Sequence, residues 1–401
     1  MRKKHFLFAS VLALLCGSST LHAQDFKLTS SGYFKNQGVD VMAFDDIYPE
    51  GHQGGVCIIM NGHRVATNGD IRLEATPGQW QPVPKQLDRK LGDNSITATL
   101  CYPDSSRHLT GFNPMIYPDL HLIYTVNVES KGKNIEVTVD LDRPIPQEFI
   151  GKVGFNLEFF PGSLFGKPWI MDGQSGIFPQ QPNSPLMTTQ PNYLHTGNYH
   201  DGKKSLADMN KLIGKGYSPI VADDIISEPY AKGTKFTSRP DDPYNKVTIE
   251  SLSGDLQLFD GRMNHNNGWF VLRSNIKPGV TKGAVKWIIT PNVVADWMYQ
   301  PVIQTSQIGY HPTQDKEAVI EMDIRDNRKE TAQIIRIDAD GEKVVKNVTP
   351  ANWGKFLRYN YLKVNFTDVK EPGLYKIKYN TSVSPIFRID NDVYALSLIH
   401  I

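Results

Sequence analysis

The sequence predicts an all-β protein made of two sandwich-type modules in series. Three observations carry that reading. Apolar and polar residues alternate with a period of two over many short segments. Turn formers are plentiful, with 32 Gly and 26 Pro in 401 residues, as many short strands require. A helical apolar repeat is scarce, and the best amphipathic stretch, residues 205–213, is short. The length suits two or three domains, and a hydrophobic share of 40% is enough to fill their cores.

Taken in order, the chain opens with an export leader over residues 1–23. Arg2, Lys3 and Lys4 form a basic start, residues 6–16 an apolar run too short to span a bilayer, and Leu21-His22-Ala23 a small-residue exit. Cys16 raises lipid anchoring, but Leu15 is bulky for a lipobox, so export to the periplasm or outside is the expectation. Beyond the leader, Leu122, Tyr124, Val126 and Val128 share a face, residues 130–133 turn, and Ile135, Val137, Val139 and Leu141 resume the alternation as a hairpin. Val153, Phe155, Leu157 and Phe159 make another such face, which sets Lys152, Gly154, Asn156 and Glu158 on the solvent side. Further strands are expected at 247–249, 256–259, 269–272 and 285–289.

Residues 161–245 differ: they are rich in Pro, Gly, Asn, Gln and Tyr, and periodicity fades. Loops of that length in a compact domain tend to be functional. Residues 291–301 look like a linker, so the expected modules are 24–300 and 301–393, with a short tail at 394–401.

The second module opens on Gln307-Ile308-Gly309-Tyr310-His311-Pro312, with a strand from Lys316 to Ile320. Ile334 to Asp338 form a strand before an Asp340-Gly341 turn, and Tyr375, Ile377 and Tyr379 share a face after Pro372-Gly373. Roughly ninety residues with so many short strands argue for an immunoglobulin-like sandwich. Gln307-Ile308-Gly309-Tyr310-x-Pro312, Lys316-x-Ala318, Pro372-Gly373-x-Tyr375-x-Ile377, Ser384-x-x-Phe387-x-Ile389 and Tyr394 together resemble the N-terminal immunoglobulin-like domain of family 9 glycoside hydrolases. The resemblance implies a sandwich that packs against an (α/α)6 barrel cleaving β-1,4-linked glucans by inversion, through an Asp base and a distant Glu acid. The family's Asp-Ala-Gly-Asp motif does not occur here, and Asp223-Asp224 and Asp241-Asp242 read as loop carboxylates. Leu396-Ser397-Leu398-Ile399-His400-Ile401 back-translates to a transposase adapter, so the reading frame is expected to leave the gene before the barrel.

For the first module, strand density and long loops suggest a large antiparallel β-supersandwich of galactose mutarotase-like type. Residues 152–161 and 169–173 resemble N-terminal regions of family 9 proteins from gut-type Bacteroidetes. A sugar site needs an aromatic platform beside hydrogen-bonding side chains, because pyranose faces are apolar and their edges polar. Trp169 with Asp172, and Trp269 after His265 and Asn266, are the candidates. Trp287 falls on an apolar strand face with Val285 and Ile289 and reads as core. Glu158 is read as a solvated strand residue, lacking a partner for acid–base work.

Charge argues against nucleic acid and anionic membrane as partners. Losing three leader cations from a chain of formal charge +1 leaves the mature protein near −2. Cys57 and Cys101, each in an apolar run, can pair or stay as buried thiols, and the strand context favours thiols. With no CxxC and no His pair nearby, neither a metal nor another cofactor is expected. The expected function is the non-catalytic N-terminal portion of a secreted family 9 glycoside hydrolase, with plant β-glucan-like polysaccharide and the missing barrel as partners. A stand-alone glycan-binding protein and an epimerase- or lyase-like enzyme with its site in the first module are the alternatives.

Overall fold

Alternating sequences become strands throughout the computed structural model, which describes residues 25–45, 54–74, 77, 83–108, 110, 120–182, 186–188, 225–263 and 268–395. Among these residues the only helical pieces are short 3-10 turns. The leader, the helical stretch expected at 205–213, Asp223-Asp224, His265, Asn266 and the tail from residue 396 lie outside the described residues. No helix among the described residues is long and apolar enough to cross a membrane.

The chain divides into two compact units. One takes in Thr67–Ala295 and most of the chain before it; the other holds Asp296 onward with the short pieces Gly38–Asp40 and Ile58–Ala66. The larger unit is a sandwich of two nine-stranded sheets, in which strands such as Val153–Phe159 and Phe270–Asn275, or Leu122–Lys131 and Asn134–Leu141, pair antiparallel, the architecture of a β-supersandwich. In the first sheet, His63–Leu73, Val153–Phe159, Phe270–Asn275 and Leu256–Asp260 lie side by side. In the second, Val247–Ser251, Val285–Pro291, Asn134–Leu141, Leu122–Lys131 and Ser95–Tyr102 do so. The expected hairpin is present, with Tyr124 opposite Leu141 and Lys131 opposite Asn134. Phe155 meets Trp287 edge-on at 5.0 Å and Phe159 meets Phe236 at 5.8 Å, so the apolar faces of the two sheets form the core. Trp287 is fully buried and its indole N–H donates to Ser274 Oγ at 3.0 Å, as a core tryptophan requires. Cys57 and Cys101 form no disulfide; the Cys57 thiol donates to the Gly54 carbonyl.

The described residues within 161–245 are less irregular than the composition of that stretch suggests. Pro168–Met171 and Lys235–Ser238 pair with each other and extend the second sheet, with Gln174–Ile177 at its edge. Long-range pairing fixes these strands, so the local pattern is weak.

The smaller unit is an immunoglobulin-like sandwich. Its four-stranded sheet runs Val302–Gln304, Glu317–Asp323, Tyr359–Asn365, Ala351–Phe356. Its five-stranded sheet contains Gly341–Val348, Ala332–Asp338 and Gly373–Tyr379, with Phe387–Ile389 also on Gly373–Tyr379. Ile320, Ile334, Val364, Tyr375, Ile377 and Ile389 centre the core between them.

Candidate functional site

The sequence candidates fall at separate places in the large unit. Trp169 sits in the strand Pro168–Met171, is only 6% exposed, and lies against its cross-strand partner Gly176. Its indole is therefore packing rather than a surface platform. Asp172 is exposed, yet its carboxylate accepts from the Thr234 N–H at 2.6 Å and the Lys235 N–H at 3.0 Å, closing the turn before Lys235–Ser238. Gln174 donates to the Lys232 carbonyl at 2.7 Å. Trp269 is half-buried, sits in the bend just before Phe270–Asn275, an inner strand of the other sheet, and meets Phe160 edge-on at 4.5 Å. Beside that segment, Asp260 is fully buried and bonded through both oxygens to the Arg262 guanidinium at 2.8 Å. That guanidinium also lies 4.5 Å from the Phe270 ring centroid.

Glu158 requires a correction. It is 3% exposed rather than solvated, and every residue of Val153–Phe159 is buried. Strand alternation puts Asn156 and Glu158 opposite the core face, and there they join a polar cluster with Asn68, Asp70, Arg72, Glu74 and Arg273. All five of these are buried too. Asn68 donates to Glu158 Oε2 at 2.6 Å, and Asn156 to Glu74 Oε1 at 2.5 Å. Arg273 stands opposite Asn156 in the neighbouring strand. It donates to Glu74 at 3.2 Å, Asn156 Oδ1 at 2.9 Å, Asn275 Oδ1 at 2.8 Å and the Lys152 carbonyl at 2.9 Å. From the second sheet, the Tyr124 hydroxyl reaches Asp70 at 2.8 Å and the Tyr102 hydroxyl accepts from the Leu73 N–H.

Loss of water sets the protonation of this cluster. Burial pushes the Glu74 carboxyl up to about 7, against the pull of Arg273 and the Asn156 amide. Burial likewise raises Asp70 to about 6, against Arg72 and the Tyr124 hydroxyl. Values near neutrality suit acid–base work, but structural ion-pair networks produce them as well. Sequence reasoning missed Asp70, Arg72, Glu74 and Arg273. The available signal was Asn68-x-Asp70-x-Arg72-x-Glu74, polar at every second position along one long strand and just past its end.

In the small unit, the motif residues prove to be structural. Tyr310 is buried against Phe366 and Phe387, its hydroxyl donating to the Glu317 carbonyl at 3.0 Å and accepting from the Ser306 N–H. Gly309 before it has φ of 97°, which favours glycine, and a side chain there would run into the Arg388 carbonyl. Lys316 is fully buried and donates to the Pro312 and Gln314 carbonyls at 2.8 and 3.0 Å. The Tyr375 hydroxyl reaches back to the Glu371 carbonyl at 2.7 Å, and Ser384 Oγ accepts from the Ile377 N–H at 2.9 Å. These bonds tie loops to strands.

Fold and motif thus define an all-β protein with a large sandwich followed by an immunoglobulin-like module. Residues 298–384 match the family model described as the cellulase N-terminal Ig-like domain, and this module is of that kind. A Bacteroides ovatus GH9 structure, from glycoside hydrolase family 9, is 26% identical over 24% of this chain, with a TM-score of 0.20. The chain spans 16% of that protein's length. A protein of Synechocystis sp. PCC 6803 is 11% identical, with a TM-score of 0.30 over 73% of this chain and 100% of its own. Among curated proteins, none matches the chain.

Proposed function

We propose that this chain serves as the glycan-directed, non-hydrolytic part of an exported family 9 glycoside hydrolase-type protein, acting on β-1,4-glucan-like polysaccharide. The observation that carries the reading is the cellulase N-terminal Ig-like match over residues 298–384. Supporting it, the described residues form two sandwich modules, the second of the kind this match describes. The modules scaffold and bind, while bond cleavage belongs to an (α/α)6 catalytic domain. Export follows from the basic, apolar and small-residue order of residues 1–23. Incubating the purified chain with soluble β-glucan tests the reading: it predicts no new reducing ends. Turnover at enzyme-like rates would sink it.

A second reading, an epimerase- or lyase-type enzyme in the large unit, has one observation in its favour. Asp70 and Glu74 have carboxyls near neutrality, the range a general acid or base uses. Both groups are fully buried, so a substrate has no contact with them, and the first reading is preferred.

A further inference from the structure

The outer face of the small unit's four-stranded sheet carries a continuous row of aromatic rings. In Tyr359–Asn365, Asn360, Leu362 and Val364 point into the core, which leaves Tyr359, Tyr361 and Lys363 on the other side. The adjacent strand sets Val319 beside Lys363 and Glu321 beside Tyr361. Trp297 lies 6.3 Å from Tyr299, Tyr299 5.1 Å from Tyr359, Tyr359 6.1 Å from Tyr361, and Tyr361 5.6 Å from Trp353, centroid to centroid.

A β-bulge ends the row. Asn352 pairs with Leu362 and Gly354 with Tyr361, so Trp353 is the extra residue. Bulges re-aim side chains, and this one takes a glycine with φ of 121° just after the tryptophan. Trp353 and Phe356 stay 56% and 57% exposed. Together with Tyr361, Val319 and the Lys363 stem they line a groove of about 230 Å³.

We infer that this groove binds the pyranose rings of a neutral polysaccharide chain, an inference that rests on the glycan-directed function proposed above. Trp353 and Tyr361 stand at 88° to each other and give an apolar corner for a sugar face. Polar groups stand at the rim where sugar hydroxyls project. Glu321 accepts from the Tyr299 and Tyr361 hydroxyls, and Lys363 bonds Glu317 at 3.0 Å. Lys363 is paired with Glu317, and Glu321 carries a negative charge held by neutral hydroxyls, so nothing in the groove selects an anion. The volume is below the ~300–1,000 Å³ of pockets that enclose a ligand. A chain laid across an open groove fits it better than an engulfed small molecule.

Native affinity electrophoresis of the full chain through gels containing soluble mixed-linkage β-glucan tests the inference. The unmodified protein is expected to be retarded. Trp353→Ala and Tyr361→Ala each weaken that retardation about tenfold, and Trp353→Phe restores part of it. Leu357→Ala, which removes an apolar side chain that does not line the groove, leaves it unchanged. Thermal melts confirm that each variant is folded. Retardation of the unmodified chain that persists in both alanine variants overturns the groove alone and leaves the glycan reading standing. Loss of retardation in Leu357→Ala to the same degree marks general apolar adsorption and also overturns the groove. An unmodified chain that is not retarded overturns both.

Discussion

Arg273 donates from all three of its guanidinium nitrogens while buried between strands, to Glu74, Asn156, Asn275 and the Lys152 carbonyl. Replacing it with alanine takes the guanidinium from Glu74 and Asn156, which are left bonded to each other inside the sheet. Removing one member of a buried pair costs about 3–5 kcal/mol, so Arg273→Ala should lower the urea midpoint of the large unit strongly. A variant within about 1 kcal/mol of the parent would contradict the arrangement. The alternation of residues 68–74 is readable as a strand but not as a buried one, because polar residues at every second position normally face water. The same logic misplaced Glu158: its partners Asn68, and beyond it Arg72, come from some ninety residues away in sequence, and no local pattern encodes them. Trp287, by contrast, was legible, since Val285 and Ile289 mark its face as apolar.

At the scale of elements, strands with one apolar face and a short turn were readable, as with Leu122–Lys131 and Asn134–Leu141. The strands Ala351–Phe356 and Tyr359–Asn365 were not, because an edge position and a bulge disturb the alternation at Trp353 and Gly354. That irregularity is where the exposed aromatic corner forms. Gly354→Val keeps ample space for its side chain but forces a β-branched residue to a φ of 121°. The strain is of order 1–3 kcal/mol. The expected outcome is a lower melting temperature for the small unit, together with weaker glucan retardation as Trp353 loses its aim. A change in neither would show that the bulge does not position the ring. The candidate pair Trp169 and Asp172 illustrates the opposite limit. A Gly/Pro-rich context looked like a loop, yet pairing with Lys235–Ser238 puts Trp169 in a strand and leaves Asp172 in the turn after it.

Across the whole molecule, the two units should respond to pH in opposite directions. Asp70 and Glu74 have folded-state values of about 6 and 7, above their ordinary values of 3.8 and 4.5. The folded large unit therefore binds more protons than the unfolded chain, and its stability falls as pH rises from about 4 to 7. In the small unit, Asp323 is buried, which acts upward, but hydrogen bonds from Arg325 and the Tyr299 N–H pull it down to about 2. Its contribution is present above pH 4 and is lost as pH falls toward 2. Melts of the chain between pH 2 and 8 should show one transition falling as pH rises from about 4 to 7 and another falling as pH drops from about 4 toward 2, and Asp323→Asn should flatten the acid limb of the second alone.

Glycan direction is the central claim, and calorimetric titration of the full chain with a soluble cello-oligosaccharide tests it most directly. Saturable binding that barely changes between low and high salt is expected, since the ligand is neutral and stacking rather than charge holds it. Absence of binding, or binding that salt abolishes, would contradict it.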